Sequence, residues 1–307
     1  MISDHVPEGY TFTFEEHLFN TEAHRLTQAA EGWRSFYLLH DKKRQVLASW
    51  HVHVGADMAS SPYRATFGGP DFNNRLQYSQ LNGYVSDVND YLAKLSISQV
   101  QIILPPELYN AELYSSVVQA LFENGYQLSK SAIDAAISVS HGAFKPTLHR
   151  GNKRKLTKSV EAGFKVSQVQ LDQLASVYQL LLQNRSEKGY RLSLNFEELS
   201  QLVKQFPTRF LLYAVYDGVM MIAAACCIKV RSDVLYVFYA GHTKQYNSYS
   251  PLVLLYDGIY EDCQRQAIRL IDLGTSATES GTDQNLLIAK LRMGAKASLK
   301  TTWIKQL

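Results

Sequence analysis

Residues 210–230 read FLLYAVYDGVMMIAAACCIKV and residues 234–242 read VLYVFYAGH. The first stretch is two apolar runs joined at Asp217-Gly218. Asp-Gly is a strong two-residue hairpin signal, because both residues tolerate positive φ. The reading is a three-strand antiparallel meander over 209–216, 219–230 and 234–240. The longest apolar run, 219–228, falls short of the roughly 18 residues a spanning helix needs and suits a buried strand. Upstream, 164–169 alternates as a strand, and Leu171, Leu174, Tyr178, Leu181 and Leu182 follow helical spacing. Asn195 is a helix N-cap with Glu198 as its capping-box partner, and that helix stops before Pro207. Downstream, Leu252, Leu255, Tyr256, Ile259, Tyr260 and Cys263 form one helical stripe. A strand over 269–273, a helix over 285–293 closed by Gly294, and an alternating strand over 297–307 complete the half.

The first half says the same thing at low identity. FYLLHDKKRQVLASWHVHV (36–54) is a strand pair around a charged turn. SSPYRATFGGP (60–70), a helix with Tyr84, Val88, Tyr91, Leu92 and Leu95 on one stripe, VQIILPP (100–106), a helix closed by Gly125, and a strand over 132–140 follow. An internal repeat fixes the fold class before any motif does. The class is α+β, a mixed sheet in each of two similar domains, 1–145 and 146–307. The first has a shortened front end, and the last strand is able to complete the first domain's sheet.

Composition supports this. The chain has 307 residues, 46% hydrophobic and 19% charged, enough to pack two cores. A net charge of +3 argues against a wholly nucleic-acid-coating surface but allows a local basic groove. The N-terminus lacks the basic and apolar regions of a signal peptide, and the three cysteines show no metal-ligand spacing. A reduced, cytoplasmic protein with buried strand cysteines is the expectation.

Three local patterns carry a resemblance. SPYRATFGGP is similar to the Ser-Pro-x-x-x-x-x-Gly-Gly segment, LHRGNKRKLTKSVEAGFKV (148–166) to the Arg-x-Asn-x-Arg-Lys-x-x-Lys segment, and RLIDLGTS with AKLRMGAK to the Asp-x-Gly and Lys-x-x-x-Gly-Ala segments of the FemABX-type and FemAB-like transferases. These are tandem GCN5-related N-acetyltransferase (GNAT) folds. The resemblance implies transfer of an acyl or aminoacyl group from acyl-CoA or aminoacyl-tRNA onto an amine. It also implies a small-molecule or peptidoglycan-precursor acceptor and tRNA as a partner. No metal is implied. One departure stands out. GNAT domains that use acyl-CoA place glycines after the meander, so that backbone N–H groups approach a pyrophosphate. Here 242–251 reads HTKQYNSYSP, and in the first copy Gly68 and Gly69 are followed by Asp71, which repels phosphate. A coiled-coil tRNA arm is also missing. The alternatives are an N-acetyltransferase with a non-standard phosphate loop, or a non-catalytic binding protein on the same fold.

Candidate residues follow, each with a plainer alternative. Arg150, Arg154 and Lys158 share one helical face and suit phosphate, or are a solvated linker face. Tyr63, Arg64, Phe67, Gly68 and Gly69 shape a substrate cleft, with Arg64 a carboxylate or phosphate clamp; or they are a tight turn and an exposed strand arginine. Tyr239 and His242 end the second meander, where the GNAT resemblance puts the acyl group. His242 is the candidate base or a surface histidine, and Asp272 orients the amine or caps the next turn. His51 and His53 share a strand face without an evident third metal ligand, and read as exposed strand histidines.

Overall fold

The computed structural model describes residues 2–95, 97–278 and 281–307. In chain order the first elements are β1 (Ile2–Ser3), β2 (Thr11–Phe12), α1 (Glu22–Gln28), β3 (Trp33–His40), β4 (Gln45–Val54), β5 (Met58–Ser61), β6 (Asp71–Phe72), α2 (Tyr78–Leu92), β7 (Gln99–Ile103) and α3 (Ala111–Glu123). Then come β8 (Gln127–Ser138), α4 (Arg150–Glu161), β9 (Lys165–Val169), α5 (Leu174–Ser186), α6 (Phe196–Gln205), β10 (Phe210–Asp217), β11 (Met220–Arg231) and β12 (Val234–His242). The last are α7 (Leu252–Arg265), β13 (Leu270–Thr275), β14 (Ala277–Thr278), β15 (Gly281–Thr282), α8 (Gln284–Arg292) and β16 (Lys296–Gln306). The chain divides into two compact units, Met1–Ile133 with Ser298–Leu307, and Asp134–Ala297. A boundary at 145/146 would separate Asp134–Ser138 from β13, the strand they pair with.

In the first unit the sheet order is β1–β3–β4–β5–β7–β16, with β2 and β6 beside β4. β3 and β4 pair antiparallel around Asp41–Lys43 and Arg44, which takes the left-handed conformation at φ 49°. β5 runs parallel to β7, and β16 closes the sheet antiparallel to β7. Tyr84, Val88 and Leu92 of α2 enter the core with Trp50, Val52, Ile102 and Trp303, as their spacing predicts, while Tyr91 stays outside. α1 has seven residues.

The second unit orders its sheet β8–β13–β12–β11–β10–β9. β10 and β11 are buried on both faces over most of their length, which explains their unbroken apolar runs. Their hairpin differs from the expected turn by one residue. Asp217 pairs with Met220, so the loop is Gly218-Val219, and of the two only Gly218 has positive φ, at 58°. Glycine at the first central position suits that turn, and Asp217 extends the strand. The capping box of Asn195 and Glu198 is present. Cys226, Cys227 and Cys263 are free and buried, and burial pushes the Cys226 and Cys263 thiols up to about 12.

Candidate active site

β12 and β13 run parallel, but their pairing covers only Val234–Tyr236 against Leu270–Asp272. β12 continues to His242 and β13 to Thr275, and over those residues the described chain forms no further ladder between them. The sheet is therefore split open at this end. A register shift on β12 sharpens the split. Cys226 pairs with Tyr239 and Cys227 with Val237, leaving Phe238 as the extra residue of a bulge. Bulges bend a strand and increase its twist, and they recur beside active sites.

A buried lysine grips the end of β13, the strand that borders this opening. Lys290 of α8 is 9% exposed, and its Nζ donates to the carbonyls of Gly274 (2.7 Å) and Thr275 (2.8 Å) at the end of β13. Burial lowers its pKa to about 8, against the opposing pull of Asp134 and Asp272. Two bonds leave one ammonium N–H for another acceptor. Asp272 is 2% exposed, and its Oδ1 accepts the Gly274 N–H at 2.6 Å. That bond holds Gly274 in its left-handed conformation (φ 73°), and so sets the carbonyl that Lys290 grips. The Tyr236 ring covers the same glycine, 3.4 Å from where a Cβ would stand.

The other two candidate catalytic residues, Tyr239 and His242, lie on the end of β12 that is unpaired with β13, and have other partners. The Tyr239 hydroxyl is taken up by Ser193 Oγ (2.6 Å) and the Leu194 N–H (3.0 Å), so it anchors that segment. His242 Nε2 meets Asn247 Oδ1 at 2.8 Å, while Nδ1 is buried without a hydrogen-bond partner among the described residues. Burial lowers the His242 pKa, with the Asn247 bond acting against it. A strand rises about 3.3 Å per residue, so His242 stands roughly 20 Å along β12 from Tyr236. The fold does not join His242 and Asp272 into one constellation.

α4 presents the expected cations. Lys145, Lys153, Arg154 and Lys158 line a shallow concavity of about 280 Å³ with Thr157 and one acid, Glu161. Arg150 is exposed on the first turn of the helix. Lys158 lies 4.3 Å over the Tyr249 ring and donates to the Ser248 carbonyl at 3.4 Å, and Ser159 Oγ donates to the Tyr249 carbonyl. The loop between β12 and α7 is thus tied to the basic helix.

In the first unit, Phe67 is fully buried against His17, Phe19 and Tyr109. A Cβ on Gly68 would stand 2.6 Å from the Pro62 nitrogen, and one on Gly69 2.9 Å from Leu104. The Gly68 N–H donates to the Ile103 carbonyl, so this segment lies along the end of β7. Tyr63 is exposed and stacks on His53 at 3.9 Å; Arg64 is exposed, with its N–H on Gln28 Oε1. Asp71 does not face outward as a repeller of phosphate. It is buried and accepts from His17 Nδ1, the His17 N–H and Asn20 Nδ2. Burial raises its pKa, but these partners hold it below the ordinary value.

The comparisons agree with this architecture. A family model described as an acetyltransferase (GNAT) domain matches residues 148–280. The crystal structure of FemX superposes with a TM-score of 0.73 at 11% identity, covering 96% of this chain and 94% of that one. The fold is FemABX-like, two GNAT units in tandem. The C-terminal domain of a putative lysylphosphatidylglycerol synthetase from Agrobacterium fabrum follows at TM-score 0.54 and 10% identity, covering 88% of this chain and 84% of that one. L-PGS from Bacillus licheniformis gives 0.52 at 10% identity, covering 93% and 87%. At such identities the likeness is one of fold. No curated protein sequence matches the chain.

Within this FemABX-like fold, Lys290 is the functional candidate that sequence reasoning missed. Its signal was present as the first residue of the Lys-x-x-x-Gly-Ala segment, four residues before Gly294, which carried the resemblance but no role for the lysine. Burial against β13 singles it out. Among the described residues no group of three His, Cys, Asp or Glu is placed to hold a metal, and no helix is long and apolar enough to cross a membrane.

Proposed function

We propose that the chain transfers an acyl or aminoacyl group from a phosphate-bearing donor onto an amine. The carrying observation is the opening between β12 and β13, with the Lys290 ammonium on the end of β13. The donor carbonyl lies in that opening. A neutral amine attacks the carbonyl carbon, and the charge on its oxygen is met by the remaining Lys290 N–H and by peptide groups at the Phe238 bulge. The C–S or C–O bond to the donor breaks, and the departing sulfur or oxygen takes the amine proton. Positioning contributes most of the acceleration in such a site. Asp272 acts through the Gly274 turn and Tyr239 through the 193–194 segment; both are positioning residues. His242, at the start of the β12–α7 loop, serves donor binding in this reading.

Arg150, Lys153, Arg154 and Lys158 hold donor phosphates. Lys158 reaches the loop where GNAT domains that use acyl-CoA carry glycines, so side-chain cations replace the glycine-rich backbone there. That contact favours acyl-CoA as donor, with aminoacyl-tRNA the second reading. A peptidoglycan precursor is the proposed acceptor, on the FemABX resemblance. The experiment is a thermal-shift series with acetyl-CoA, longer acyl-CoAs, aminoacyl-tRNA and a peptidoglycan-precursor peptide. A ligand at about 100 times its Kd adds about 2.7 kcal/mol, a clear rise in Tm. A rise with one donor and one acceptor is expected; no rise with any of them overturns the reading.

A further inference from the structure

The first unit holds a second hydrogen-bonded set of reactive groups. His51, expected to be exposed, is 1% exposed. Ser35 of β3 and His51 of β4 are directly opposite in the ladder. Ser35 Oγ lies 2.9 Å from His51 Nδ1. His51 Nε2 lies 2.9 Å from Glu16 Oε1, which also accepts from Ser49 Oγ at 2.7 Å. Arg25, 7% exposed, donates from Nη1 to Ser35 Oγ at 3.0 Å.

Arginine only donates, so Ser35 Oγ accepts from it and keeps its own proton to give, with His51 Nδ1 and the Tyr37 hydroxyl as its other neighbours. An ionised carboxylate only accepts, so Nε2 carries the imidazole proton. That tautomer leaves the Nδ1 lone pair on the serine hydroxyl, as a general base requires. Burial, against the pull of the Glu16 bond, lowers the His51 pKa, which favours the neutral ring. Ser35, Glu16 and Arg25 line a cavity of about 650 Å³, with Tyr37 and Trp33 among its walls and Glu22 and Glu31 among its polar lining.

We propose that this is a nucleophilic esterase site for short neutral or cationic esters, with Ser35 the nucleophile, His51 the base and Glu16 its orienting carboxylate. The acidic lining disfavours anionic esters. Ser35 Oγ attacks the ester carbonyl carbon as its proton passes to His51 Nδ1. The ester C–O bond breaks, and His51 returns the proton to the leaving alcohol. Water then attacks the acyl-serine, gives a proton to Nδ1, and releases a carboxylic acid as the serine recovers its proton. The Arg25 guanidinium beside Oγ faces the charge that develops on the carbonyl oxygen. The ring nitrogens exchange the roles they have in a chymotrypsin-type triad, which the symmetry of imidazole permits. The site lies within the first unit and does not rest on the transfer reaction proposed for the second.

The test is labelling of the full chain with a fluorophosphonate, mapped by peptide mass spectrometry, with hydrolysis of p-nitrophenyl acetate followed in parallel. One adduct per chain at Ser35 is expected, absent from Ser35→Ala. Labelling is expected to slow by roughly 100-fold or more in His51→Gln. Glu16→Gln keeps the side-chain shape and is expected to slow it at least about tenfold, which covers a His51 variant that does not fold. No adduct, an adduct elsewhere, or an unchanged Ser35 rate in folded Glu16→Gln overturns the proposal.

Discussion

Lys290 carries two predictions, both from its lowered pKa. The folded chain releases this proton near pH 8, while an ordinary lysine holds it to about 10.5. Between those values the unfolded chain binds more protons, so stability rises with pH across the window. Urea unfolding from pH 7 to 10.5 is expected to show that rise, reduced in Lys290→Met. The transfer rate is expected to lose its charged donor over the same range, with a descending limb near pH 8 in kcat/KM that moves upward in Lys290→Arg. Gly68 carries a packing prediction. Its missing Cβ is replaced by the backbone of Ser61 and Pro62, so Gly68→Ala is expected to cost about 1–3 kcal/mol in chemical denaturation. At this scale the sequence named residue types well and environments poorly. Glycines 68 and 69 were visible as special, but only the folded chain shows that protein fills the side a Cβ would take. His51 and Lys290 were visible as letters; their burial comes from elements distant in sequence.

At the scale of elements, α4 is the clearest test of donor binding. Its cations were legible as a face because helical periodicity is local, and Lys153 joins them only through the curvature of the concavity with Lys145. Replacing Lys153, Arg154 and Lys158 by alanine is expected to weaken binding of acyl-CoA or aminoacyl-tRNA. The salt dependence of log Kd is expected to flatten by about one for each donor phosphate that the variant no longer neutralises. An unchanged slope would return α4 to an ordinary solvated helix. The meander was legible because β10 and β11 are apolar on both faces. The position of its turn was not, since Asp-Gly and Gly-Val compete for the same two-residue loop and strand pairing decides.

For the whole molecule, the repeat was the strongest signal, and it held at the level of element order. It did not show which strand closes which sheet. β16 pairs with β7 and sends Trp303 into the first unit's core, while Asp134–Ser138 pair with β13. Pairing partners far apart in sequence leave no periodicity to read. Deleting residues 298–307 is therefore expected to expose β7 and the Trp303 site. Hydrogen exchange would show loss of protection in β5, β7 and α3, with β10–β12 retaining theirs. Loss of protection confined to the second unit would contradict this assignment.

The central claim is acyl transfer at the split end of the second unit's sheet under the charge of Lys290. The most direct measurement incubates isotopically labelled donors, acetyl-CoA and an aminoacyl-tRNA in separate reactions, with a peptidoglycan-precursor peptide bearing a free amine, and follows label in the amide product. Wild-type protein is expected to form product from one donor. Lys290→Met, shown folded by its Tm, is expected to form it at least about 100-fold more slowly. Absence of product from either donor, or full activity in Lys290→Met, would contradict the account.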